Sequence, residues 1–354
     1  MKGLSKYIFL CVLCIQAMAE DIEVTGVIQQ IIPQPTLPRV AQESRPQTVA
    51  LMSMKLSQKA QNSYLKRIKS LEKKSEQVHS LTSTPSSVQL GMDNVPVMNQ
   101  GIHGSCVEFA AAAAIDAILK KGDYVSPLCS LQLGRHLQKY GFTQSGWDGA
   151  LGNAVLSQLE LFGFIKKDIQ NQYGCGGLKE YPLVEKDIGD EISLIDFHQY
   201  SESMMDYRIG WSSILDVYQS SHESVDMQSL LNHVKTVLLK GDRIVIGVLL
   251  AEPDIGLAGA VGTHKAFNDT WLLTPEIMQD IKQNPQFAGH AMLITGFDDN
   301  AYAKDDFGRI HRGLLTLRNS WGDKIGDHGN FYMSYDYFKA MVMEIERIRQ
   351  LSSE

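Results

Sequence analysis

Residues 106–118, Cys-Val-Glu-Phe-Ala-Ala-Ala-Ala-Ala-Ile-Asp-Ala-Ile, have helical composition with apolar side chains on nearly every face. A helix of that kind has no side to offer water, so other elements must pack all around it. Ser105 stands at its N-cap position with Glu108 three residues on, the spacing of a capping box, and Gly122 closes the run. The chain has 354 residues and 44% of them are apolar, enough for a sizeable core. Helical patterns recur at 152–162 and 227–239. Beyond them the sequence turns to short β-rich runs at 243–250, 290–297, 314–317 and 331–334. Helices first and a sheet or barrel second predict an α+β molecule of two lobes, and no internal repeat is visible.

The N-terminus carries an address. Lys2 and Lys6 precede an apolar run, Tyr7–Ala19, that ends in Ala17-Met18-Ala19. It is too short to span a bilayer and has the order of a secretory signal cut after Ala19, so the expected product is secreted. Leu10 and Leu13 precede Cys11 and Cys14, where lipid attachment calls for a small residue, and no later segment has the length of a membrane span. The formal charge of −7 argues against duplex nucleic acid as a partner. Once the signal leaves, Cys106, Cys129 and Cys175 remain, an odd number in an oxidising compartment. The unpaired thiol is a flaw, an intermolecular link or a nucleophile.

Residues 20–51 hold Pro33, Pro35, Pro38 and Pro46 and read as extended chain or a short hairpin rather than a core element. Leu56, Ala60, Tyr64, Ile68 and Leu71 then mark an amphipathic helix with Lys and Arg between them, and Thr82–Ser87 reads as a linker. Residues 20–83 carry +3 and residues 84–354 carry −12, so the first is expected to dock on the second by charge.

Cys106 is the first residue of its helix, where the dipole favours thiolate over thiol. A nucleophile also needs a base, and the base an orienting group. His290 opens a strand after Gly289, and Asn319 ends a later strand just before Ser320-Trp321-Gly322. A cleft between the lobes brings them to Cys106.

These segments resemble the papain family of cysteine peptidases. Gln100-Gly101-Ile102-His103-Gly104-Ser105-Cys106 looks like its nucleophile segment, Gly289-His290-Ala291 its histidine strand and Asn319-Ser320-Trp321-Gly322 its asparagine turn, in the family's order. Pro96-Val97, Gly146-Trp147-Asp148-Gly149 and Gly326-Asp327-His328-Gly329 match in placement, so the resemblance spans about residues 85–340. It implies a papain-like α+β fold with a helical left lobe at about 100–195, a β-barrel-like right lobe at about 196–345, and the active-site cleft between them. Within residues 84–354, Cys106 would attack the scissile carbonyl, His290 would carry the proton and Asn319 would fix the imidazole. Gln100 would complete the oxyanion hole, Trp321 would shield the histidine, and Gly149, Ala150, Leu151, Ala288 and Ala291 would bind substrate, with none of the pocket walls supplying a charge. The activity implied is that of an endopeptidase on protein or peptide, made as a zymogen whose residues 20–83 act as intramolecular inhibitor, without a cofactor or metal.

Departures accompany the match. The family's disulfide positions fall at His103 and Trp147, both non-cysteine here, which leaves Cys129 with Cys175 as the one bridge the resemblance allows. Val107, Ile325 and Ala150 replace two tryptophans and a glycine, and the family's pro-helix motif is missing from 52–80. Residues 298–306 lengthen the stretch between His290 and Asn319 and read as a solvated acidic turn without EF-hand spacing. Glu108 reads as a cap, and His103 with Cys106 is too few ligands for a metal site. Two other functions remain open: a catalytically silent scaffold, and a Cys-His acyltransferase, which Asn319 disfavours.

Overall fold

A computed structural model describes residues 21–32, 47–74, 85–222, 224–251, 259–284 and 286–352. The expected secretory signal and half of the expected linker, residues 82–84, lie outside the described residues. The chain begins with a hairpin of β1 (Ile22–Ile32) and β2 (Gln47–Leu56), both rich in β-branched and other apolar residues, followed by α1 (Gln58–Lys74).

Their placement corrects one expectation and refines another. Far from lying outside the core, β2 buries Val49, Ala50, Leu51, Met52, Met54 and Leu56, and Ala60, Tyr64 and Ile68 of α1 join the same cluster. Among the described side chains, the positive charge of α1 that is seated on the body is Arg67, held by main-chain carbonyls and not by carboxylates. Lys66 and Lys69 are exposed, while Arg67 is buried and donates to the backbone carbonyls of Val342 at 2.9 Å and Ser220 at 2.6 Å. Gln61 Nε2 likewise reaches the Ile281 carbonyl at 3.0 Å. An ion pair that does join segment and body, Asp21 with His222, has the acid on the segment.

After the short β3 (Ser87–Gln89) comes the helical lobe: α2 (Cys106–Leu119), α3 (Pro127–Lys139), α4 (Gly152–Phe162), α5 (Lys167–Tyr173) and α6 (Leu194–Tyr200). The apolar run of α2 is buried as its composition requires, from Cys106 through Ala117. It ends at Lys120, in the left-handed region at φ 57°, rather than at Gly122. The capping box does not form. Ser105 Oγ is engaged by the Tyr181 hydroxyl, and the Glu108 side chain turns inward against Gly146, with Oε2 lacking a hydrogen-bond partner among the described residues. A disulfide, Cys129–Cys175, ties the first turn of α3 to the segment after α5.

The second lobe contains β4 (Ile209–Leu215), α7 (Val217–His222), α8 (Met227–Leu239), β5 (Arg243–Leu250), β6 (Gly262–Thr263), β7 (Thr270–Trp271) and α9 (Pro275–Gln283). It continues with β8 (Gln286–Asp305), β9 (Ile310–Arg318), β10 (Asn330–Ser334), α10 (Tyr335–Met341) and β11 (Val342–Gln350). The strand order is β4-β11-β5-β8-β6-β7-β10-β9, and β9 also pairs with β8, so five strands close on themselves in a barrel. Every residue of β5 is buried, as its unbroken apolar run requires. The acidic stretch 298–306 is largely exposed, as expected, but most of it is strand and not turn. It extends the β8–β9 ribbon, with Asp298 accepting the Asn300 and Ala301 amides, Asp299 accepting from Tyr335, and Asp305 buried against Arg309. The whole is an α+β fold of two lobes, as the resemblance implies, with α2 packed between the lobes against β5 and β8.

Candidate active site

The loop 99–105 delivers Cys106 to the interface of the lobes. The Gln100 amide donates to the Ser320 carbonyl at 2.8 Å, Ile102 to Leu183 at 3.0 Å and Gly104 to Trp147 at 2.8 Å, so the loop is pinned on three sides. Gly104 has to be glycine, since a Cβ there would come within 2.9 Å of the backbone at Asp148 and Gly149. Cys106 then starts α2 with its sulfur facing β8, where the Ala291 amide donates to Sγ at 3.3 Å.

His290, one residue earlier on β8, has its Nε2 at 2.8 Å from Asn319 Oδ1. That contact makes Nε2 the protonated nitrogen and leaves Nδ1, which has no hydrogen-bond partner among the described residues, as the free base. Trp321 covers the imidazole, its ring stacked at 4.6 Å and 19°. The Asn319 carbonyl oxygen also accepts the Ser320 amide at 2.7 Å, which fixes its orientation. Ser320 Oγ donates to Gln100 Oε1 at 2.8 Å, so the Gln100 NH₂ must project the other way.

What that NH₂ meets is a peptide carbonyl. Gln100 Nε2 donates to Ala50 O of β2 at 3.1 Å, as well as to His103 O at 2.8 Å. β2 runs over the site. Met52 packs on Gly149, where a Cβ would approach its side chain to 2.9 Å, and Met52 and Ser53 pair with Gly289 and Ala288. Ala150 and Ala291 line the cluster around Cys106, and Leu151 is the N-cap of α4. His290, Asn319 and Trp321 form one cluster, Cys106 Sγ meets the amide of the next residue, Ala291, without a hydrogen bond to His290 Nδ1, and β2 lies against Gln100, Gly149, Ala288 and Gly289.

The cover changes the electrostatics. Burial pushes the Cys106 thiol up to about 12, helped by Glu108 and Glu344 and opposed by the Ala291 amide. Burial also pulls His290 down to about 4 against the pull of its Asn319 hydrogen bond. Both groups are therefore neutral, contrary to the thiolate expected from the helix terminus. Desolvation outweighs a terminal dipole worth at most about 2 kcal/mol.

Two residues escaped the sequence reading. Glu344 Oε1 accepts the Gly152 amide at 2.9 Å and lies beside Gly247, whose strand partner is Ala291. A carboxyl, raised to about 7 by burial, therefore stands behind the wall that Leu151 and Ala291 were expected to form without charge. Tyr181 contacts both ends of the nucleophile loop. Neither has a local motif that announces it. At the two places where the resemblance expects a cysteine pair, His103 and Trp147 meet edge to face at 4.9 Å. Among the described residues no group of three His, Cys, Asp or Glu could hold a metal, and no helix is long and apolar enough to cross a membrane.

Residues 182–351 match the model of the Peptidase C1-like family. No curated protein matches the chain. Among solved structures, the cysteine protease xylellain from Xylella fastidiosa is 20% identical with a TM-score of 0.48, covering 76% of this chain and 88% of that one. Digestive procathepsin L 3 of Tenebrio molitor larval midgut is 16% identical with a TM-score of 0.42, covering 76% and 71%. The bromelain protease from Ananas comosus is 14% identical with a TM-score of 0.43, covering 74% and 98%. The family match covers 170 of the 354 residues and takes in His290 and Asn319, while Gln100 and Cys106 lie before it; over that stretch the chain is similar to the Peptidase C1-like family.

Proposed function

We propose that the chain is an exported cysteine peptidase made as a zymogen, with Cys106 as nucleophile, His290 as base and acid, Asn319 as orienting group and Gln100 as oxyanion donor. The observation that carries the reading is the Ala50 carbonyl on Gln100 Nε2, because a peptide carbonyl already occupies the donor that an acyl-transfer site needs. In the open enzyme, His290 Nδ1 takes the Cys106 proton and the sulfur adds to the substrate carbonyl. The oxyanion is held by Gln100 Nε2 and the Cys106 amide. The imidazolium then protonates the leaving amine and a thioester remains; water, deprotonated by His290, hydrolyses it and restores the thiol. Asn319 Oδ1 holds the Nε2 proton throughout, and Trp321 keeps water from that hydrogen bond.

Regulation follows from the cover. While β2 lies in the cleft, substrate has no place and both reacting groups are desolvated into their neutral forms. Clearing β2 admits water, favours the thiolate–imidazolium pair and frees Gln100. The test is hydrolysis of a fluorogenic peptide amide before and after the hairpin is cleared by limited proteolysis, with Cys106→Ala as control. Turnover that appears on clearing and is missing in Cys106→Ala supports the reading. A cleared protein that binds peptides without cutting them would make the chain a silent scaffold.

A further inference from the structure

Tyr181 has no part in the chemistry above, yet it holds the loop on which that chemistry depends. Its hydroxyl donates to the Gln100 carbonyl at 2.9 Å and is 2.7 Å from Ser105 Oγ, which must be the donor there because the phenol proton is already committed. One phenol thus bridges the two ends of the loop: Gln100, whose side chain is one oxyanion donor, and Ser105, which precedes the backbone amide that is the other. The ring is fixed on several sides. Trp147 stacks on it at 5.5 Å and 12°, while His103 and Phe109 meet it edge to face at 5.9 and 4.9 Å. Two residues along, the Leu183 carbonyl takes the Ile102 amide, and Gly101, at φ 58°, lies against the same backbone. Burial raises the phenol's pKa, so it keeps its proton at any working pH. Among the described residues no covalent link reaches this loop, since the disulfide joins Cys129 and Cys175.

We propose that Tyr181 is a positioning residue for the oxyanion hole: its hydroxyl sets the spacing between the Gln100 side chain and the Cys106 amide. This rests on the roles proposed for Gln100 and Cys106. A misplacement of about 1 Å costs an active site about 100-fold, so loss of the hydroxyl is expected to lower turnover at least tenfold. Alkylation of Cys106 by iodoacetamide forms no oxyanion and should be spared.

The test is Tyr181→Phe in the full-length chain, which keeps the ring contacts and removes the hydroxyl. Expected are a melting temperature within about 3 °C of wild type, amide hydrogen exchange at residues 101–106 accelerated about tenfold or more, and, after activation, kcat lowered at least tenfold. KM and the iodoacetamide rate should stay within about twofold. Ser105→Ala removes the second hydroxyl of the pair and should give a smaller change of the same kind, which serves if Tyr181→Phe does not fold. Unchanged exchange and kcat would overturn the proposal. So would melting temperature, kcat and alkylation falling together, which marks a residue that only supports the fold. If the wild-type protein hydrolyses no peptide amide, the peptidase reading fails, and the exchange comparison still decides whether Tyr181 holds the loop.

Discussion

Replacing Arg67 by Met tests whether the N-terminal helix is a detachable inhibitor or part of the enzyme's frame. Arg67 is 7% exposed and donates to two main-chain carbonyls, Val342 O and Ser220 O, that belong to the β lobe. A hydrogen bond from a charged donor contributes about 1.5–3 kcal/mol, so two give about 3–6 kcal/mol. Met fills similar volume and spares the cost of burying a guanidinium, which offsets about a third to a half of that loss. The net expectation is about 2–4 kcal/mol, or a melting temperature about 3–5 °C lower for a chain of 354 residues. The control is Lys66→Ala with Lys69→Ala, which removes two exposed charges of the same helix. It should move the melting temperature by less than about 2 °C, and 0.5 M salt should not loosen the helix. Differential scanning calorimetry of the three full-length proteins reads the comparison. If the lysine variant loses more stability than Arg67→Met, docking is electrostatic after all and the reasoning from buried contacts is wrong.

Gln100→Ala should act in two directions, lowering kcat of the activated enzyme by about 10²–10³ while speeding alkylation of Cys106 in the unprocessed chain, because the same amide holds the Ala50 carbonyl. Stopped assays on both forms check this, and slower alkylation in the unprocessed variant would sink it. Stability should fall as pH rises from about 5 to 8. Burial raises Glu108 and Glu346 to about 8 and Asp116 and Glu344 to about 7, so the folded chain keeps protons that the unfolded chain has released by about pH 5. Their contribution is complete below about pH 4 and is lost through pH 7–8; a melting temperature higher at pH 8 than at pH 5 would contradict the assignment. Reducing Cys129–Cys175, at a sequence separation of 46, should cost about 4 kcal/mol on the chain-entropy model. Calorimetry with and without phosphine checks it, and no change on full reduction would show the bridge to be idle.

Much of the site was legible because its parts are short and local. Gln100 through Cys106, Gly289-His290-Ala291 and Asn319 through Gly322 each announce themselves within a few residues, and the two-lobe fold follows from helical patterns giving way to strands. The bounds of α4, α8 and β5 agree with the periodicity. What escaped depends on partners far along the chain. The cap at Ser105 was lost to Tyr181, 76 residues away, and Glu108 turned inward because Gly146 leaves room for it. Charge totals suggested how the front segment docks, but totals do not say which side chains face inward. On α1 the lysines at 66 and 69 face water while Arg67 is buried. Prolines made 20–51 look peripheral, although the apolar run Val49 to Met52 lies just beyond the last of them and completes the core over the cleft.

The central claim is that Cys106 is a nucleophile held silent by β2. Intact-mass measurement of labelling by a thiol-directed epoxide tests it most directly, comparing the full-length chain, the same protein after proteolytic clearing of the hairpin, and Cys106→Ala treated alike. Slow labelling of the full-length chain, a rate at least tenfold higher after clearing, and none in Cys106→Ala is the expected result, since the cover leaves Cys106 only 4% exposed and its thiol neutral. Equal rates in the full-length and cleared proteins, or labelling that persists in Cys106→Ala, would contradict it.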